Sequence, residues 1–143
     1  MKKIAVWSAG MTVLLSLLAP LASPAEPQAP AAQFTEATVQ PREAFALIQK
    51  NKDNPQFVVL DVRTPDEFGS GHIDGAINID YNTGGFKTLV SELDKTRTYL
   101  VYCRTGRRSG GATKVMKDLG FVSIVRMKGD IRGWQSEGLP LVK

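Results

Sequence analysis

The chain reads as an α/β domain with a mainly parallel central sheet and helices on both faces of that sheet. Three observations predict this. Short apolar runs alternate with helical patterns from Pro41 onward, the order expected of strand–helix units that build a parallel sheet. Phe57-Val58-Val59-Leu60 is apolar without a break, as a strand buried on both faces requires. Thr98 to Tyr102 feeds through Cys103 and a Gly/Arg-rich turn into a helical run from Arg107 to Leu119. In open α/β sheets, ligands sit off the carboxyl ends of strands, and Cys103 falls at such an end.

The elements follow in order. Pro41 suits the first helical position, where its missing N–H is no loss, and Phe45, Leu47 and Ile48 give that helix an apolar side up to about Lys50. The strand Phe57 to Leu60 comes next. Thr64-Pro65-Asp66-Glu67 then has the form of a capping box, with Pro just inside a short helix. Ala76 to Ile79 is a short strand candidate, and Phe86 to Leu93 suggests a helix. Thr98 to Tyr102 is a strand. In the run that follows, Ala112, Val115, Met116 and Leu119 share one helical face, and Gly120 stops it. Val122 to Met127 is a further strand, and Asp130 to Ser136 a last short helix before Gly138.

Ahead of this domain the chain carries a leader. Lys2 and Lys3 form a positive start, Ile4 to Leu18 an apolar stretch, and Ser23-Pro24-Ala25 a small-residue cleavage site. This is the layout of a secretory signal over residues 1–25. The apolar stretch is shorter than the roughly 20 residues of a spanning helix, so no membrane association is expected after cleavage. With no cysteine beside the cleavage point, a lipid anchor through a thiol is excluded. Residues 26–33 are rich in Pro and Ala and read as a flexible linker. The folded domain is expected over 34–143, in the periplasm of a double-membrane bacterium.

Of the 143 residues, 43% are hydrophobic, enough for one packed core. Loss of Lys2 and Lys3 takes the 18 basic side chains to 16 against 14 acidic, a net charge of +2. So slight a balance gives no ground for a nucleic-acid partner, and there is no aromatic-interleaved basic stretch. No His/Cys cluster has metal-ligand spacing. The chain is expected to be a monomer.

Cys103 is the only cysteine. In an oxidising compartment cysteines usually pair, but this one has no partner within its chain, so it is either buried and inert or used. Its surroundings favour use. It opens the run Cys103-Arg104-Thr105-Gly106-Arg107-Arg108-Ser109. The thiolate is the reactive form of cysteine, and nearby arginines or a helix N-terminus favour it. The residues after Cys103 are expected to curl so that several backbone N–H groups face the sulfur, with Gly106 relieving the crowding and the helix from Arg107 adding its dipole. The result is an anion site with a nucleophile at its centre.

Three stretches together resemble the rhodanese homology domain. Asp61-Val62-Arg63-Thr64-Pro65-Asp66-Glu67-Phe68 with Gly71-His72-Ile73-Asp74-Gly75-Ala76-Ile77-Asn78-Ile79 resembles its amino-terminal signature. Tyr102 to Ser109 resembles its active-site loop. Gly133-Trp134 with Gly138-Leu139-Pro140-Leu141 resembles its carboxyl-terminal signature. The resemblance implies a thiosulfate sulfurtransferase. Cys103 takes the outer sulfur of thiosulfate as a persulfide, sulfite departs, and cyanide or a thiol receives the sulfur in a second half-reaction. Its implied partners are a small anionic sulfur donor and a thiophilic acceptor, with no metal and no organic cofactor. Arg104, Thr105, Gly106, Arg107, Arg108 and Ser109 become the substrate-binding set, through backbone donors and guanidinium charge.

Within that set, Arg108 is the arginine expected to meet the sulfonate of the donor, while Arg104 and Arg107 either raise the local potential or face solvent. Ser109 either donates to the sulfur or caps the following helix. Asp61 and Arg63 read as a hydrogen-bonded pair that fixes loops, His72 as a turn residue with a structural hydrogen bond, and Trp134 as core. Phe86, Gly84 and Gly85 are candidates for the pocket rim. Two departures from the family pattern stand out. Asp74 takes the place of a common proline, and Gly129-Asp130 that of a frequent Gly-Gly pair beside the site. A cysteine phosphatase is the nearest rival, but its loop sets Cys and Arg one residue further apart and usually has His, not Tyr102, before the Cys. A non-catalytic binding module of the same fold is a second rival, and such modules typically lack the cysteine.

Overall fold

The computed structural model describes residues 33–143. The expected leader, and all of the expected linker but Gln33, lie outside the described residues. The domain is a five-stranded parallel sheet in the order β1-β5-β4-β2-β3. In chain order the elements are β1 (Thr35–Val39), α1 (Pro41–Lys50), β2 (Phe57–Asp61), α2 (Pro65–Ser70), β3 (Ile77–Asn78), α3 (Phe86–Ser91), β4 (Thr98–Tyr102), α4 (Arg107–Asp118), β5 (Ser123–Met127) and α5 (Asp130–Ser136).

Two apolar layers sandwich the sheet. Because side chains alternate along a strand, Leu60, Tyr99, Val101 and Ile124 face one side and meet Phe86 and Val90 of α3 and Ala112 and Met116 of α4. Val59, Leu100, Tyr102 and Met127 face the other and meet Ala44 and Ile48 of α1 and Ile131 and Trp134 of α5. Full burial of each large apolar side chain here contributes roughly 1.5–3 kcal/mol. Helices therefore cover both faces, and the central strands β2 and β4 are the apolar runs of the sequence.

The local signals have visible causes. On α2, the Thr64 hydroxyl accepts the Glu67 amide at 3.3 Å and the Glu67 carboxylate accepts the Thr64 amide at 3.1 Å, a reciprocal cap. Gly120 ends α4 with a φ of 88°, the left-handed turn that glycine takes without strain. His72 receives a Val142 amide at 2.9 Å, donates its own to the Val142 carbonyl at 2.8 Å, and stacks on Phe68 with ring centroids 3.7 Å apart. Trp134 is buried and donates its indole N–H to the Pro140 carbonyl at 2.9 Å.

β1 is an element the sequence did not announce. Thr-Glu-Ala-Thr-Val is mostly exposed, so no apolar pattern marks it. It exists because it pairs with β5 from Thr35↔Ser123 to Val39↔Met127 at the sheet edge, where backbone bonds rather than burial define a strand. The parallel arrangement brings the carboxyl ends of β2, β4 and β5 to one rim, and there Cys103 follows Tyr102.

Candidate functional site

Cys103 is held by its backbone before its side chain is considered. Its amide donates to Oδ1 of Asp130 at 2.6 Å. Its carbonyl accepts the Ile131 amide at 3.1 Å, and the Arg104 carbonyl accepts the Arg132 amide at 3.3 Å. The first turn of α5 thus grips the end of β4 on both sides of Cys103.

Beyond Arg104 the chain turns back on itself. Gly106 has a φ of 109°, a left-handed conformation that glycine adopts without steric penalty, and this aims its amide at Sγ of Cys103, 3.1 Å away. The Gly106 carbonyl is fixed by Nη2 of Arg126 and by the Ser109 hydroxyl, each at 3.2 Å. Ser109 is fully buried behind the loop, with Oγ 3.7 Å from Sγ, so its hydroxyl ties the loop and touches the sulfur at the same time. The expectation of several amides on the sulfur is met by Gly106 alone. Gly106 folds back over Sγ, and the amides of Arg107, Arg108 and Ser109 belong to the first turn of α4. Among the described residues, no protein acceptor takes the amides of Arg104, Thr105, Arg107, Arg108 or Ser109. α4 also begins with no side-chain cap. Unpartnered first-turn amides at the positive end of a helix form an anion-binding arrangement.

Cys103 lines a cavity of about 350 Å³ together with Tyr81, Asn82, Arg104, Thr105, Arg107 and Arg108. Cys103 is only 1% exposed, so a reactant must enter the cavity to reach it. Gly106 and Ser109 stand behind that lining rather than on it. Arg104 and Arg107 are exposed, with no carboxylate in ion-pair range among the described residues.

Arg108 is differently engaged. It lines the cavity but also forks onto Glu67 of α2, Nη1 to Oε2 at 2.6 Å and Nη2 to Oε1 at 2.9 Å. Its hydrogen bonds to Arg108 hold the Glu67 carboxyl down to about 2, and the Glu67 carboxylate in turn raises Arg108. The capping box of α2 is therefore also the anchor of a cavity-lining arginine.

Tyr81 and Asn82 are wall residues that sequence reading missed, because they lie between the first and second of the three recognisable stretches. Tyr81 packs edge-on against Phe86 with centroids 5.2 Å apart. Its hydroxyl rests on α4 at Gly111, where an added Cβ would collide with it. The neighbouring Gly110 admits Arg126, whose Nη2 would lie 3.3 Å from a Cβ there. Two helical glycines thus admit the cavity wall on one side and the loop support on the other. Phe86 itself is a core residue, 4% exposed. The rim position considered for it belongs to Tyr81, which Phe86 backs. Arg126 was missed because the sequence shows it only as a strand residue.

The rhodanese-like domain family model matches residues 44–137, and the chain belongs to that family. Relatives include a sulfurtransferase of Allochromatium vinosum, 31% identical over 100 residues covering 70% of this chain and 92% of that one. The thiosulfate sulfurtransferase PspE of Escherichia coli is 34% identical over 65 residues, 46% of this chain and 62% of that one. Among solved structures, a rhodanese-related protein from Thermoplasma volcanium superposes with a TM-score of 0.61 at 31% identity, covering 74% of this chain and 97% of that one. The chain is thus a rhodanese-like protein of the sulfurtransferase kind.

Proposed function

We propose that this protein is a thiosulfate sulfurtransferase that carries sulfur as a Cys103 persulfide, acting in the periplasm after its leader is removed. The observation that carries the reading is Cys103 in the lining of a small cavity, with the Gly106 amide 3.1 Å from Sγ and with Arg104 and Arg107 beside it, neither ion-paired among the described residues.

The Cys103 thiolate attacks the outer sulfur of thiosulfate. The S–S bond of the donor breaks, and its electron pair leaves with sulfite. A negatively charged persulfide remains on Cys103. In the second step cyanide or a thiolate attacks the terminal sulfur, the persulfide bond breaks, and Cys103 returns as thiolate. Charge is conserved in each step, and every species is anionic. The amides at the start of α4 and the guanidinium groups of Arg104, Arg107 and Arg108 answer that charge as it moves between sulfur atoms. The Gly106 amide supports the sulfur itself. The volume suits a small inorganic anion, and the low exposure of Cys103 keeps bulky disulfides away from the persulfide.

The test compares mature protein recovered from the periplasm, with its amino terminus expected at Glu26, against Cys103→Ser. Thiocyanate formation from thiosulfate and cyanide is expected to be lost in the variant while its thermal midpoint stays close to wild type. Equal rates in both proteins would remove the proposal.

A further inference from the structure

We propose that Asp130 is a positioning residue for the Cys103 nucleophile, holding the loop's first amide so that Sγ is presented to the cavity. The inference rests on the reading of Cys103 as the sulfur carrier. Asp130 is the one non-glycine residue with a positive φ among the described residues, at 50°. It follows Gly129, itself left-handed at 73°. Asp is among the residues that tolerate this region, but glycine enters it more easily. The side chain is also buried, 3% exposed. Backbone stability alone would place a second glycine here and leave the site free of a buried carboxylate.

The carboxylate has one recorded hydrogen-bond partner among the described residues, the Cys103 amide at 2.6 Å. It has no Lys, Arg or His within ion-pair distance among them. Its second oxygen lies against Gly106, where a Cβ would come within 3.3 Å. As the first-turn acid of α5 the carboxylate gains from the helix dipole, but its left-handed backbone and the burial of its charge oppose folding. Strain of this kind gathers where function needs a fixed geometry. What the arrangement achieves is local. Bonds to an ionised acceptor are short and strong, and this one joins those from the Ile131 and Arg132 amides to immobilise the peptide units around Cys103. It also withdraws the Cys103 amide from the substrate, so the donors left for an anion begin at Arg104.

Two variants separate this role from a structural one. Asp130→Asn keeps an oxygen acceptor and the left-handed backbone. Asp130→Gly removes the acceptor and relieves the strain, so it folds without a steric obstacle. Three properties are read: thermal midpoint, hydrogen exchange of the Cys103 amide by NMR, and kcat and KM for thiosulfate with cyanide as acceptor. In Asp130→Gly the Cys103 amide is expected to exchange about tenfold faster and kcat to fall about tenfold, with KM within about twofold and the midpoint little changed. Asp130→Asn is expected to restore both exchange and kcat to within about threefold of wild type. The proposal is overturned if Asp130→Gly protects that amide as well as wild type does, if its kcat is unchanged, or if Asp130→Asn is as impaired as Asp130→Gly. If the wild type forms no thiocyanate, the proposed function falls, and exchange alone decides whether Asp130 holds the nucleophile's amide.

Discussion

Strands β2 and β4 lie side by side and end at the same rim, yet their ends treat charge in opposite ways. At the end of β2, Asp61 and Arg63 answer each other. Arg63 donates to both Asp61 oxygens at 2.6–3.0 Å and to the Gly71 carbonyl at 2.8 Å. The two side chains are 0% and 7% exposed. Burial works against the Arg63 charge, but Asp61 outweighs it and the guanidinium is held more firmly protonated. At the end of β4, Arg104 and Arg107 have no acidic partner among the described residues and line the same cavity as Cys103. The first pair closes a rim; the second set leaves one open to an anion. Arg108 falls between, bound to Glu67 and still facing the cavity. Sequence alone shows arginines at both ends. What separates scaffold from site is whether the protein itself supplies the counter-charge.

The largest expected effect that sharpens this contrast is at Asp61. Replacing it by Ala strands a buried guanidinium, which typically costs about 3–5 kcal/mol. Urea unfolding of Asp61→Ala is expected to show a much lower midpoint, while any protein that stays folded keeps its KM for thiosulfate. A selective rise in KM with no loss of stability would move the Asp61–Arg63 pair from scaffold to site.

The next effect tests the wall of the open end. A methyl at Gly111 collides with the Tyr81 hydroxyl, so Gly111→Ala must displace Tyr81 from its place on the cavity wall. Overpacking of this sort costs about 1–3 kcal/mol. The expected readout is altered KM for thiosulfate beyond what the stability change explains, and Tyr81→Phe, which removes only the hydroxyl, should relieve part of it in the double variant. Full independence of the two substitutions would show that the contact is immaterial.

The smallest effect concerns the intermediate case. Glu67 titrates near 2 in the folded protein, below its ordinary value of 4.5. A carboxyl lowered by folding contributes stability that is complete above 4.5 and is lost as pH falls from there through about 2. The pair is partly exposed, so its worth is about 1 kcal/mol after solvent screening. Acid titration of thermal stability is expected to show this loss in wild type and a smaller one in Glu67→Gln. Identical acid profiles would mean that the Arg108–Glu67 fork adds nothing.

Most of the fold was legible because its central strands are buried on both faces. Phe57 to Leu60 and Thr98 to Tyr102 carry their environment in their composition, and the Thr64–Glu67 box and Gly120 carry their own local geometry. β1 was not legible, since an exposed edge strand is defined by its neighbour's backbone. The same division holds in the site. Cys103 and its loop were visible as a contiguous run. Tyr81, Arg126 and Glu67 reach it from other elements, and only packing reveals that Gly111 leaves room for one and Gly110 for another. Asp130 was visible as a departure from a glycine pair. That its carboxylate binds the Cys103 amide could not be read from sequence, because the contact joins the end of one strand to the helix after the next.

The parallel register has one further consequence. Thr35 begins β1 at the end of the sheet opposite Cys103, about 16 Å away along a five-residue strand. A bead, a surface or a carrier joined directly ahead of Thr35 therefore meets the domain at the end of the sheet away from Cys103. Coupled through that end, the protein keeps its mouth toward the bulk solution.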